Sequence, residues 1–142
     1  SARIGCVGLS MGGQMALYLA AIEPGIRCSV VAGFLCSFKR GLLELHTYCQ
    51  CYSIPGWPKL FDMPDIAGCV APRPLQIQKG ESDRSFDPED VEQAFGRLKR
   101  IYEEAGVPQN VQYVTYPGDH ILNVDHAREW FRLHLKHDNC SL

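Results

Sequence analysis

Short apolar segments alternate with longer helix-forming segments along the whole 142-residue chain. The apolar, strand-like segments lie at residues 4–7, 28–33, 75–78 and 111–116. The helix-forming segments lie at 14–21, 66–70, from Pro88 to the region of Gly106, and at 124–136. Strands that alternate with helices in this way predict an α/β fold with a parallel sheet.

The segment between the second strand and the second helix, residues 34–62, has no clear periodicity and is rich in aromatic residues. The turn signals Pro55-Gly56 and Pro58 interrupt it. We interpret it as an excursion above the sheet. Its aromatic side chains either contact a substrate or pack over the sheet, because pockets and cores both favour aromatic residues.

The clearest candidate for chemistry is the sequence Gly8-Leu9-Ser10-Met11-Gly12-Gly13, which directly follows the first predicted strand. A G-x-S-x-G turn between a strand and a helix holds its serine in a strained conformation. We expect the turn to require glycine at Gly8 and Gly12, because larger side chains would collide with the neighbouring backbone. We therefore expect Ser10 to be a nucleophile.

Acidic residues and a histidine follow the later strands, where reactive groups of α/β sheets gather. Asp83 is the preferred acid; Asp87 is the alternative, although its position before Pro88 also suits a helix N-cap. His120 follows the fourth strand in a glycine turn, and His46 is its rival. A serine needs an imidazole to take its proton and a carboxylate to orient that imidazole, so the order serine, acid, histidine predicts a triad.

Composition and charge narrow the range of partners. The net charge is −2 and there is no basic stripe, so we expect no nucleic-acid partner. No apolar run approaches the roughly 20 residues needed to cross a bilayer, so we expect no membrane partner. Residues 1–3 lead straight into a strand without a visible export signal, which leaves the compartment open and favours the cytoplasm.

Seven cysteines are scattered over the chain, and an odd number in such varied contexts argues against a disulfide framework. Three of them lie in apolar surroundings and are predicted to fill the core: Cys6, Cys28 and Cys69. His46, Cys49 and Cys51 lie within six residues of one another, which suits a metal site, a loop of reduced thiols, or a local disulfide to Cys36 or another cysteine. Structural zinc sites usually have a second ligand pair, which is missing here, so we expect neither a metal nor another cofactor.

These motifs resemble the α/β-hydrolase superfamily, in particular its dienelactone hydrolase, acetyl xylan esterase and prolyl oligopeptidase-like branch. The likeness spans most of the chain and rests on the Ser10 motif together with later segments. Those segments are Ile54-Pro55-Gly56, Phe61-Asp62-Met63-Pro64-Asp65-Ile66-Ala67, Ala71-Pro72-Arg73-Pro74-Leu75, Gly80-Glu81-Ser82-Asp83 and Pro117-Gly118-Asp119-His120.

The resemblance implies a function as well as a fold. It implies that Ser10, Asp83 and His120 are nucleophile, acid and base, and that the backbone N–H of Met11 is one oxyanion donor. The implied activity is hydrolysis of a small-molecule carboxylic ester through an acyl-enzyme. A serine peptidase with the same triad, and a non-catalytic fragment without a second oxyanion donor, are the alternatives.

The chain departs from the family's pattern at its start. About four strands precede the serine turn in the family, whereas seven residues precede Gly8 here. We therefore interpret residues 1–142 as a single partial domain, the carboxyl-terminal half of the fold. The first strand would then present an unpaired apolar edge, and such edges promote association, so the isolated chain is predicted to self-associate.

Overall fold

The protein folds around one parallel sheet, as the alternating pattern predicts. The computed structural model describes residues 3–44 and 55–135, within which four strands lie in the order β1-β2-β3-β4. The strands are β1 Ile4–Leu9, β2 Ile26–Ala32, β3 Leu75–Gly80 and β4 Val111–Tyr116. The α-helices are α1 Met11–Ile22, α2 Met63–Gly68, α3 Pro88–Glu104 and α4 Val124–His134.

Helices cover both faces of the sheet. Because neighbouring side chains of a strand point to opposite faces, they pack against different helices. Val31 and Ile77 belong to the larger core, which also contains side chains of α1, α2 and α3. Cys28 and Val30 pack instead with Ala127 and Trp130 of α4. Even the polar side chains of β3 are consequently buried.

Two helices begin earlier than the sequence pattern indicates. Helix α1 begins at Met11, directly after the serine turn, rather than at residue 14. Helix α2 begins at Met63 rather than at residue 66, because Asp62 and Asp65 form a reciprocal capping box. The capping residues determine where each helix begins, whereas apolar periodicity marks only the interior.

Strand β1 is an edge of the sheet in the described part of the chain, where it pairs with β2. Ile4 and Val7 are about half exposed, at 50% and 44%. Met11 and Met15 of α1 are also exposed. The apolar edge expected from the sequence is thus present, while self-association remains a prediction.

The structure bears on three expectations about side chains: the buried cysteines, the aromatic residues of segment 34–62, and the metal ligands. Cys28 is buried as predicted and Cys6 is half-buried, but Cys69 is exposed because it follows the carboxyl end of the short helix α2. Phe34 and Phe38 pack in the core. The possible metal ligands His46, Cys49 and Cys51 lie outside the described residues. Within residues 3–44 and 55–135 we find no cluster of three metal-ligating side chains and no helix long and apolar enough to span a bilayer.

Candidate active site

Ser10 lies on a sharp turn between β1 and α1, with backbone angles φ 58° and ψ −122°. Within the described residues it alone, apart from glycines, has a positive φ. Such a conformation costs about 1–3 kcal/mol and persists only where the surroundings impose it. Two backbone hydrogen bonds do so here: Ser10 N donates to Ala32 O at 2.9 Å, and Gln14 N donates to Ser10 O at 2.9 Å.

The glycines of this turn have different roles. A Cβ on Gly8 would lie 1.9 Å from the carbonyl oxygen of Gly12, so Gly8 must be glycine, as predicted. A Cβ on Gly12 would meet no atom within 4 Å outside its chain neighbours and the adjoining backbone of α1, so the reason predicted for Gly12 stays a prediction. The crowded neighbour is Gly13, whose Cβ would lie 2.9 Å from Ala32 O.

The Ser10 hydroxyl is not used to cap the helix that follows it. Serine is a preferred N-cap residue, yet Ser10 makes no side-chain hydrogen bond to the first turn of α1. Met11 is the first helical residue, so its backbone N–H has no acceptor within the helix. A helix N-terminus attracts negative charge, and no acidic residue occupies the first turn of α1. The turn therefore presents a hydroxyl beside an electropositive backbone group.

Asp83 and His120, which are 37 residues apart in sequence, form a direct hydrogen bond. Their Nδ1 and Oδ2 atoms are 2.8 Å apart, and the Asp83 side chain is only 2% exposed. Since an ionised carboxylate only accepts, Nδ1 carries the proton, and in the neutral imidazole Nε2 is then the acceptor. Burial raises the pKa of Asp83, but hydrogen bonds from His120 and Ser85 outweigh this effect and hold its pKa below the ordinary value.

Asp87, the alternative acid, has a different position. Its side chain accepts a hydrogen bond from Asp90 N at 2.9 Å and so caps α3. It also lies 3.5 Å from the Arg40 guanidinium. Glu81 is exposed. Among Glu81, Asp83 and Asp87, the acidic residues that follow β3, Asp83 is the one that contacts His120.

The imidazole of His120 lies beside the serine turn because it packs on Gly33. A Cβ on Gly33 would be 2.8 Å from His120 Cε1 and 3.0 Å from Nδ1. Gly33 directly follows Ala32, whose carbonyl accepts the hydrogen bond from Ser10 N. Its φ of +55° further favours glycine. Ser10, Asp83 and His120 thus follow the carboxyl ends of β1, β3 and β4, and Asp83 and His120 are in direct contact there.

The loops that carry Asp83 and His120 are bound to each other through their backbones. Glu81 N donates to Tyr116 O at 3.0 Å, and Ser82 N donates to Gly118 O at 2.8 Å. A Cβ on Gly80 would lie 2.1 Å from the carbonyl oxygen of Asp119. Gly33 and Gly80 were not selected from the sequence, although a glycine at the end of a predicted strand is a recognisable signal of close approach.

The aromatic excursion contributes to an apolar groove away from these three residues. Trp57 and Phe61 line this groove of about 500 Å³ together with Tyr18 of α1. None of Ser10, Asp83 or His120 lines it. Tyr48 and Tyr52, two further aromatic residues of the excursion, lie outside the described residues. Substrate contact by the excursion therefore stays a prediction.

Comparison with known proteins gives one family and one fold. Residues 1–128 match the Abhydrolase family. The chain is 31% identical over 125 residues to YtaP of Bacillus subtilis (strain 168), which is named as an inferred hydrolase; the alignment covers 83% of this chain and 40% of YtaP. The chain thus spans about 40% of the length of that relative.

Several solved esterases share the architecture. A glucuronoyl esterase from Solibacter usitatus has a TM-score of 0.73 at 19% identity, covering 94% of this chain and 42% of that one. The glucuronoyl esterase catalytic domain from Hypocrea jecorina has a TM-score of 0.71 at 17% identity, covering 93% and 44%. These similarities establish a partial α/β-hydrolase fold.

Proposed function

This chain belongs to the Abhydrolase family, and from that premise we propose that it carries the Ser-Asp-His triad of a serine hydrolase that cleaves carboxylic esters. The observation that carries the proposal is the buried Asp83–His120 hydrogen bond of 2.8 Å at the same sheet edge as the strained Ser10. Burying a carboxylate costs free energy unless it has such hydrogen-bond partners. A serine that has a positive φ at the start of a helix and does not cap that helix is also unusual. A Ser-His-Asp triad requires the carboxylate–imidazole hydrogen bond, and in α/β-hydrolases the nucleophilic serine lies on a strained turn of this kind.

In the first half of the reaction, Ser10 Oγ attacks the ester carbonyl carbon while His120 Nε2 takes the hydroxyl proton. Asp83 accepts the Nδ1 hydrogen bond, which selects the required tautomer and stabilises the imidazolium. The backbone N–H of Met11 donates to the oxyanion that forms. The carbon–oxygen bond to the alcohol then breaks, and the alcohol leaves with the proton from His120.

In the second half, water replaces the alcohol. His120 Nε2 takes a proton from the water as its oxygen attacks the acyl carbon. The acyl–Ser10 bond breaks, the proton returns to Ser10 Oγ, and a carboxylic acid is released. Every proton transfer uses the same imidazole nitrogen, so one Asp83–His120 hydrogen bond serves both halves.

Ester substrates are favoured over peptides by the proteins that share the fold. The structural neighbours include glucuronoyl esterases and a methylesterase. We therefore propose small carboxylic esters, including alkyl esters of sugar acids, as the substrate class. Loss of one oxyanion donor costs roughly 2.7–4 kcal/mol of transition-state stabilisation, so the Met11 N–H is expected to contribute on this scale.

A fluorophosphonate tests the nucleophile without assuming a substrate. We expect intact and peptide mass spectrometry to find the adduct on Ser10, and to find no adduct in Ser10→Ala or His120→Ala. Ser82→Ala is the matched control, because Ser82 is an exposed serine of the neighbouring loop. Labelling that persists in folded Ser10→Ala at the wild-type rate would refute the serine mechanism.

Turnover distinguishes the substrate classes. We expect hydrolysis of p-nitrophenyl acetate and of a methyl uronate, each lost in Ser10→Ala, and slower cleavage of the corresponding anilide. Faster cleavage of the anilide would assign the site to a peptidase instead.

A further inference from the structure

We propose that Gln78 and Lys79, two consecutive buried residues of β3, are positioning residues that hold the histidine loop and the acid loop in register. The inference rests on the proposed triad and deepens it. The histidine loop is the segment 117–123 and the acid loop is the segment 81–85. The observation that carries the inference is a direct side-chain hydrogen bond from each β3 residue to the backbone of one loop.

Lys79 anchors the acid loop. Its side chain is buried, with a residue exposure of 6%, and its ammonium group donates to Asp83 O at 2.6 Å. A second, longer contact of 3.5 Å joins it to Gly80 O. Among the described residues, no carboxylate forms an ion pair with Lys79. Burying an ammonium group beside carbonyl oxygens alone is costly, so stability is a poor explanation for a lysine at this position.

Gln78 anchors the histidine loop on the opposite face of the sheet. Its Nε2 donates to Asn123 O at 3.2 Å, and its Oε1 accepts from Asn123 N at 3.0 Å. The side-chain amide therefore pairs with Asn123 as a neighbouring backbone would. The Tyr116 hydroxyl holds the same loop at Ile121 O. The histidine loop is thus attached to β3 at Asn123, three residues after His120.

The two anchors act on one hydrogen bond. Asp83 and His120 meet at 2.8 Å, and each is carried by a loop that β3 holds from a different face. A shift of either loop changes that distance directly. A misplacement of 1 Å in a reacting geometry costs about 10²-fold in rate, so small displacements are expected to have large effects.

The variants separate anchoring from general packing. Lys79→Met removes the donor with little change in volume, and Lys79→Gln restores a neutral donor. Gln78→Glu retains the acceptor for Asn123 N but loses the donor to Asn123 O. Ser29→Ala is the matched control: Ser29 is a polar residue of the neighbouring strand β2, buried with 1% exposure, and its side-chain hydrogen bond is with Cys6 rather than with either loop.

Two readouts are needed, and the first does not require activity. The Nδ1 proton of His120, identified in NMR spectra by its absence from His120→Ala, reports the hydrogen bond to Asp83. The second readout is the rate of fluorophosphonate labelling of Ser10. We expect Lys79→Met and Gln78→Glu to shift or broaden the Nδ1 resonance and to reduce labelling by roughly 10- to 100-fold. Lys79→Gln should recover most of the rate, and Ser29→Ala should leave both readouts near wild type.

A merely structural role predicts a different pattern. It predicts that Lys79→Met unfolds at a lower urea concentration than wild type, because the Asp83 carbonyl loses its buried donor, while the Nδ1 resonance of the folded variant stays unchanged. An unchanged Nδ1 resonance in folded Lys79→Met and Gln78→Glu would overturn the inference. If Lys79→Met does not fold, Gln78→Glu and Lys79→Gln decide it by the same resonance. A wild-type chain without a Ser10 adduct would instead refute the proposed function, and the resonance would still test the anchors.

Discussion

Replacing Gly33 with alanine should displace the His120 imidazole without changing either member of the Asp83–His120 pair. The new Cβ would lie 2.8 Å from His120 Cε1, and the ring must retreat by about 0.6 Å to reach an ordinary contact of 3.4 Å. The retreat acts on a hydrogen bond of 2.8 Å. We therefore expect labelling of Ser10 by a fluorophosphonate to slow by roughly 10- to 100-fold.

Gly106→Ala is the control that isolates backbone strain. Gly106 has φ +74°, close to the +55° of Gly33, but a Cβ there meets no atom of the described chain within 4 Å. Both substitutions should therefore lose about 1–2 kcal/mol of unfolding free energy from the left-handed conformation, with an additional loss in Gly33→Ala. Urea unfolding measures this loss, and the His120 Cε1–H resonance should move only in Gly33→Ala. Equal labelling rates and equal stabilities in the two variants would refute the reasoning.

Four further predictions follow from individual side chains. Asp83→Asn should slow labelling of Ser10 by about 10⁴-fold, because the imidazole loses its orienting carboxylate, whereas Asp87→Asn should stay near wild type because asparagine also caps helices; the reverse result would reassign the acid. The pKa of Asp83 in the folded state lies below its ordinary value of 3.8, so its stabilising contribution is present above pH 3.8 and is lost as the pH falls through the folded pKa. In urea titrations between pH 6 and 2, the free energy of unfolding should therefore change less with pH in Asp83→Asn than in wild type. Burial raises the pKa of Cys28 to about 12, so iodoacetamide at pH 8 should modify exposed Cys69 and spare Cys28 until the chain unfolds, as peptide mass spectrometry can check. Val7→Lys places a charge on the exposed strand edge and should reduce self-association, and a monodisperse wild-type monomer in light scattering would contradict this.

Local pattern was sufficient to predict the element types and the order of the candidate residues. Strand β4 has the same bounds in the sequence pattern and in the structure, residues 111–116, because five of its six residues are β-branched or aromatic. The serine turn was also evident, since the requirement for glycine at Gly8 is imposed by atoms only a few residues away. Such features depend on steric contacts between residues that are close in sequence, so they can be predicted from the sequence itself.

Long-range contacts decided the remainder. The sequence alone left Asp83 and Asp87 as alternatives, because their distances to His120 depend on how two loops 37 residues apart meet. It likewise did not select Gln78 or Lys79. Their side chains are buried because helices cover both faces of the sheet. The sequence of β3 does not indicate which loop each polar side chain contacts. The sequence by itself determined the fold class and a short set of chemically competent residues, and only tertiary packing decided which of them meet.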